Sequence, residues 1–223
     1  MIFEEFDPNI HDSHKVAELM YSVDFRTYLE VFKTKENAIV AIKDLLSVEN
    51  EKIANSKNQE NIDEYAKIYV ILDDNDFKPN NNENSINSKD IIGILHVVKG
   101  KKYNFLISVL YFLIKLKFSH ALKFSYISLL DSLVLTDFNK DDLYLAEISI
   151  DESQRGKGLG TKIIKKVIEK ARKKGFKRVV LDSDLRNTGA TKLYESIGFK
   201  KFDEKSPRFF KKERGMNNME YTL

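Results

Sequence analysis

The chain has 223 residues, 42% hydrophobic and 32% charged, with a formal net charge of +3. That length carries one substantial core and is short for two, so one unit spanning 1–223 is expected. The absence of cysteine excludes disulfides, a thiolate zinc site and a cysteine nucleophile. The acidic, polar start MIFEEFDPNIHDSHK lacks the order of a secretory signal, so a cytoplasmic location is expected.

Charge is unevenly spread. Residues 1–100 hold 11 Lys+Arg against 19 Asp+Glu, and residues 101–223 hold 26 against 15. A basic second half suits a polyanionic ligand, although solvated helix faces carry such charge too. No nucleic-acid motif or aromatic–basic interleaving accompanies it, so nucleic acid is not an expected partner.

Taken in order, 2–6 reads as a strand closed by Asp7-Pro8. Apolar periodicity predicts helices over 11–23, 25–32 and 37–49, the last with a stripe from Ala38 to Leu46. Strands are predicted over 68–72 and 91–98, and the Asn-rich stretch 74–90 between them has little to bury and is expected to be a mobile loop. His11 and His14 could share a helix face, but no third ligand is near and their flanks read as exposed, so no metal site is expected.

Residues 101–134 are dense in apolar side chains and predict two packed helices inserted between strands. The run 103–114 is twelve residues long, short of the roughly twenty that a spanning helix needs, so no membrane-spanning segment is expected. As read from the sequence, the insertion extends the core, lines an acceptor pocket, forms a homo-oligomer face or rests on a membrane surface; these readings stay open.

The second half predicts a strand over 143–150, a helix over 161–174, a strand over 178–184, a helix over 188–197 and final strands over 200–203 and 218–223, joined by a basic loop at 205–215. Where ISIDESQRGKGLG leaves the first of these strands, Gly156, Gly158 and Gly160 remove side chains from a turn that opens a helix. Backbone amides at a helix N-terminus favour an anion, with phosphate the natural guest. Two nucleotide motifs fail by counting. Thr161 stands where G-x-x-x-x-G-K-[ST] needs its second glycine, and where G-x-G-x-x-G needs its third.

What the residues do spell is R-x-x-G-x-G at Arg155, Gly158 and Gly160. After the next strand comes Asn187-x-x-Ala190-x-x-Leu193-Tyr194-Glu195-x-x-Gly198-Phe199. Together these blocks resemble the GNAT superfamily of N-acetyltransferases, over residues 143–202. The resemblance implies an α/β fold with a mixed, mostly antiparallel sheet, splayed parallel fourth and fifth strands, and flanking helices. It also implies acetyl-CoA as acetyl donor and a primary amine, small molecule or peptide, as acceptor in a direct-transfer ternary complex. The cofactor-binding positions it assigns are Ile148, Ser149, Ile150, Arg155, Gly156, Lys157, Gly158, Leu159, Gly160, Thr161 and Asn187.

Glu147 breaks an apolar strand, which is costly without a role or a partner. Its readings are general base, salt-bridge partner, or binder of a cationic acceptor. Tyr194 points inward with Ala190 and Ile197; it matches the family's general-acid tyrosine or is a packed aromatic. Asn187 caps its helix and, in the family pattern, also contacts the cofactor arm. His96 is a reserve base. The competing function class is a non-catalytic CoA-binding regulatory or interaction module.

Overall fold

The computed structural model describes residues 1–56, 66–73, 91–100, 105–207 and 215–223. The loop expected at 74–90 and residues 208–214 of the basic loop lie outside the described residues. Among the described residues seven strands form one sheet in the order β1-β2-β3-β4-β5-β7-β6. They are β1 (Ile2–Glu5), β2 (Ala66–Leu72), β3 (Ile91–Lys99), β4 (Asp142–Ile150), β5 (Arg178–Asp184), β6 (Lys200–Lys205) and β7 (Met216–Thr222). Every neighbouring pair is antiparallel except β4 and β5.

The helices are α1 (Ser13–Val23), α2 (Phe25–Phe32), α3 (Lys35–Ser56), α4 (Phe105–Lys115), α5 (Phe118–Val134), α6 (Leu159–Lys173) and α7 (Thr188–Ile197). Local chemistry sets their ends. α1 starts at Ser13 rather than at His11 because the Asp12 carboxylate accepts from the His14 and Lys15 amides at 2.8 and 3.2 Å. α6 starts two residues earlier than apolar periodicity suggests, because Gly158, at φ 72°, turns the chain straight into the helix.

Among the described residues buried side chains pack on both faces of the sheet. On one face Val16, Ala17 and Met20 of α1, Phe32 of α2, Ile42 and Leu46 of α3, and Ala121 and Phe124 of α5 pack on Val70, Leu72 and Ile94. On the other face Ile163, Ile164, Val167, Ile168 and Ala171 of α6, together with Tyr194 of α7, cover Leu95, Leu143, Leu145, Val179 and Leu181. Each such fully buried aliphatic side chain contributes about 1.5–3 kcal/mol relative to exposure, which fixes α6 across the middle of the sheet. The insertion is a helical pair. α5 joins the first core, whereas α4 has no buried residue. Among the described residues no helix is long and apolar enough to cross a membrane.

Candidate active site

β4 and β5 separate halfway along. Their parallel pairing runs from Asp142↔Arg178 to Leu145↔Leu181 and stops, although β4 continues to Ile150 and β5 to Asp184. The cause lies on the other edge of β4. There the pairing with β3 skips Ala146, stepping from Val97↔Leu145 to His96↔Glu147. Such a bulge bends the strand and increases its twist, carrying its second half away from β5. β5 meanwhile stays paired to β7 as far as Asp184↔Met216.

The split leaves β4 backbone groups facing open space. The Asp151 amide donates to the Ile92 carbonyl at 2.9 Å on the β3 side, so by strand alternation the groups of Ile148 and Ile150 face the split. The Ile150 carbonyl accepts from Arg155 Nε at 3.1 Å. Part of the expected cofactor arginine therefore braces the turn. Ser149 is buried with its hydroxyl 2.7 Å from that of Ser22 in α1.

The split opens toward the glycine turn. Gly156 and Gly158 have φ of 78° and 72°, a left-handed backbone that side chains oppose, and a Cβ on either would meet nothing within 4 Å. Gly160 differs: a Cβ there would sit 3.3 Å from Leu193 Cδ2 and 3.6 Å from Ile150 Cδ1, so its role is close packing of α6 on α7 and β4. No side chain caps α6, and its first bond back to the turn is from the Lys162 amide to the Gly158 carbonyl at 3.2 Å. The amides of Leu159, Gly160 and Thr161 therefore have no intrahelical acceptor and face an exposed turn. This geometry fits a phosphate group. Lys157 lies beside it, with Nζ 2.7 Å from Gln154 Oε1.

Glu147 and His96 stand opposite one another, Nδ1 to Oε1 3.8 Å. Glu147 Oε2 is buried and accepts no hydrogen bond among the described residues. Tyr194 lies in the other core, 8% exposed, its ring 5.9 Å from that of Phe199; burial pushes its phenol up to about 12. Glu147 and Tyr194 thus belong to opposite faces of the sheet. Asn187 is exposed and its Oδ1 accepts from the Ala190 amide at 3.1 Å, the capping role.

Two groupings escaped the sequence reading. Asp182 lies one residue beyond the last β4–β5 pair and accepts from Tyr144 Oη at 2.8 Å, from the Thr136 amide at 3.1 Å, and from Asn218 Nδ2. Burial, then the Asp182 charge, holds the Tyr144 phenol well above its ordinary range; Asp131 and Glu147 act in the same direction. Asp182 was findable by the argument applied to Glu147, since it interrupts the apolar run VVL of β5. The second grouping joins Lys15 of α1 to Asp151, at the end of β4. It borders a cleft of about 390 Å³ that includes Asp12, Glu18 and Gln154. No sequence signal relates those two positions.

The histidine expectation needs correction. His11 is buried rather than exposed, its Nδ1 accepting from the Asp7 amide at 3.0 Å and its Nε2 3.4 Å from Glu4 Oε2. It is a structural residue that ties β1 to the start of α1.

Residues 126–199 match the model of the Acetyltransferase (GNAT) family. A probable N-acetyltransferase, camello, of Xenopus laevis is 43% identical over 61 residues, spanning 27% of this chain and 28% of that relative. N-alpha-acetyltransferase 30 of the same organism is 39% identical over 56 residues, or 25% of this chain and 20% of the relative. The chain therefore matches only about a quarter of the length of these relatives. In fold, a spermidine N-acetyltransferase variant from Vibrio cholerae superposes with a TM-score of 0.55 at 12% identity, over 100% of this chain and 95% of that one. The sequence match to the GNAT family is confined to residues 126–199, and the superposition shows that the fold of such acetyltransferases is shared along the chain.

Proposed function

We propose that residues 1–223 form one acetyltransferase unit that moves the acetyl group of acetyl-CoA directly to a primary amine, both substrates being bound at once. One observation carries the reading: the β4–β5 split opens at the uncapped N-terminus of α6. A phosphate-bearing chain held by the amides of Leu159, Gly160 and Thr161 can run from there into the split. Ile148 and Ile150 offer it strand-like hydrogen bonds. Exposed Arg155 and Lys157 add positive charge, and Asn187, the cap of α7, is assigned to the cofactor arm.

Acetyl-CoA supplies a thioester whose carbonyl is open to attack. The chain must take a proton from the amine and give one to the departing thiolate. Glu147, with one carboxylate oxygen free of hydrogen bonds, takes the amine proton directly or through water. Tyr194, whose phenol burial holds at about 12, stays protonated at neutral pH and donates to the thiolate. An amide of β4 facing the split polarises the carbonyl. With no cysteine in the chain, no thiol is available to carry the acetyl group, which favours direct transfer.

The acceptor side is the face that bears Glu147. Asp131, Glu147 and Asp182 all lie within electrostatic reach of the Tyr144 hydroxyl there, so this face favours a cationic amine. Relatives named as N-acetyltransferases agree with an amine acceptor. The test is calorimetric titration with acetyl-CoA, then release of free CoA thiol across a panel of amines. Folded protein that binds no acetyl-CoA at millimolar concentration overturns the proposal, and so does binding without transfer to any amine.

A further inference from the structure

α4 is apolar on all sides. Its first ten residues, FLISVLYFLI, carry no charge and only two hydroxyls, those of Ser108 and Tyr111, and none of the helix is buried. Phe112 turns inward, its ring 5.8 Å from that of Phe124. Leu106, Leu110 and Ile114 recur at helical spacing on the outer side, 70%, 59% and 69% exposed, with Ile107 beside them. Phe118, at 71%, and Leu122 are likewise exposed at the start of α5, after a two-residue turn. An aliphatic surface this continuous is an interaction site rather than scattered surface apolarity.

We propose that this face of the α4–α5 hairpin docks in the plane of an anionic lipid surface. Length decides between crossing and lying flat. Eleven residues of helix reach about 16 Å, whereas the hydrocarbon core is about 30 Å thick. α5 is longer but carries His120, Lys123 and Asp131. Charge selects the partner. Over 105–134 the charged side chains are Lys115, Lys117, Lys123 and Asp131. Lys115 and Lys117 edge the apolar surface, and Lys117, although its Nζ lies 3.5 Å from Asp44 Oδ2, keeps most of its side chain exposed, so that long amines there can reach lipid phosphates. The cores of protein–protein contacts favour aromatics, Met and Arg and are poor in Lys; here the exposed surface is mainly aliphatic, edged by lysine, and 105–134 contains no arginine.

The hairpin is also firmly held. Asn218 Nδ2 donates to the Val134 carbonyl at 3.1 Å, and the next amide but one, Thr136, donates to Asp182. Docking therefore sets the orientation of the sheet and its split relative to the lipid. This inference does not depend on the acetyl-transfer reading.

Flotation of the full chain tests it, with vesicles of phosphatidylcholine alone and with added phosphatidylserine. The protein is expected to float with the phosphatidylserine vesicles, and Lys115→Glu/Lys117→Glu to reduce binding about tenfold or more. Leu106→Gln/Leu110→Gln/Ile114→Gln, at positions outside the core, is expected to abolish flotation while leaving the circular dichroism spectrum unchanged. Three results overturn the proposal: no flotation of the unaltered chain with either vesicle, undiminished flotation of the triple variant, or a vesicle-free dimer that the triple variant converts to monomer. The last would assign the face to a second copy of the chain.

Discussion

Glu147 Oε1 lies 3.8 Å from His96 Nδ1 across the β3–β4 pair, at the position where the bulge ends normal register. If Glu147 takes the amine proton, Glu147→Gln lowers kcat by about 10²–10⁴ and leaves acetyl-CoA affinity within a few-fold. His96→Ala has a smaller effect, because the imidazole is placed beside the carboxylate rather than in its stead. Steady-state kinetics on both variants, with calorimetric Kd for acetyl-CoA, separates the roles. Equal losses in Kd and kcat for Glu147→Gln would make the residue a structural one.

Tyr194→Phe removes a proton donor while keeping the ring packed on Phe199. The expected outcome is a fall in kcat of about 10²-fold or more with stability and acetyl-CoA affinity little changed. Burial holds this phenol near 12, so Tyr194 stays in its donating form as pH rises past the ordinary value near 10. The kcat profile of the unaltered protein should therefore show no falling limb from this group below about pH 12. A limb near 10 that disappears in Tyr194→Phe would contradict the buried assignment.

The glycines of the turn should separate by substitution. Gly158→Glu places a side chain and a negative charge where φ is 72°, costing about 1–2 kcal/mol in backbone strain and abolishing acetyl-CoA binding. Gly160→Val acts through packing, because Leu193 Cδ2 lies 3.3 Å from the new Cβ, and is expected to lower the melting temperature. Thermal melts with and without acetyl-CoA distinguish the two effects.

Lys15 and Asp151 hold α1 to the end of β4. The Lys15 ammonium and the Ser153 hydroxyl keep the Asp151 carboxyl at about 2, below its ordinary 3.8. A carboxyl lowered on folding stabilises the native state above its unfolded pKa and loses that contribution as pH falls through the folded value. The pair is expected to add stability fully above about pH 4 and to lose it between about 4 and 2. Melting curves across that range should fall less steeply for Lys15→Met than for the unaltered chain.

Asp182→Ala leaves the Tyr144 hydroxyl and the Thr136 amide without their acceptor, and is expected to cost about 3 kcal/mol. Asp182→Asn, which keeps an acceptor oxygen, should cost less. Urea midpoints at constant slope measure both. Equal losses would show that charge, rather than hydrogen bonding, holds α5 to the sheet.

Much of the molecule was legible before folding was considered. β5 and α7, Arg178–Asp184 and Thr188–Ile197, coincide with the expected strand and helix, because apolar spacing and end signals are written in neighbouring residues. The glycine turn was legible for a related reason, since only glycine enters left-handed backbone without strain. Gly160 shows the limit: its neighbours come from α7 and β4, and no local pattern reports a contact across that distance. The same holds for Asp182, Thr136, Tyr144 and Asn218, which come from four parts of the chain. By itself the sequence determined most of the elements and the left-handed glycine turn, and carried the resemblance to the GNAT superfamily. Tertiary structure decided where β4 leaves β5, which acids share the face of Glu147, and that the Leu106, Leu110 and Ile114 side of α4 stays exposed, because each depends on the groups packed around a residue in space rather than on its neighbours along the chain.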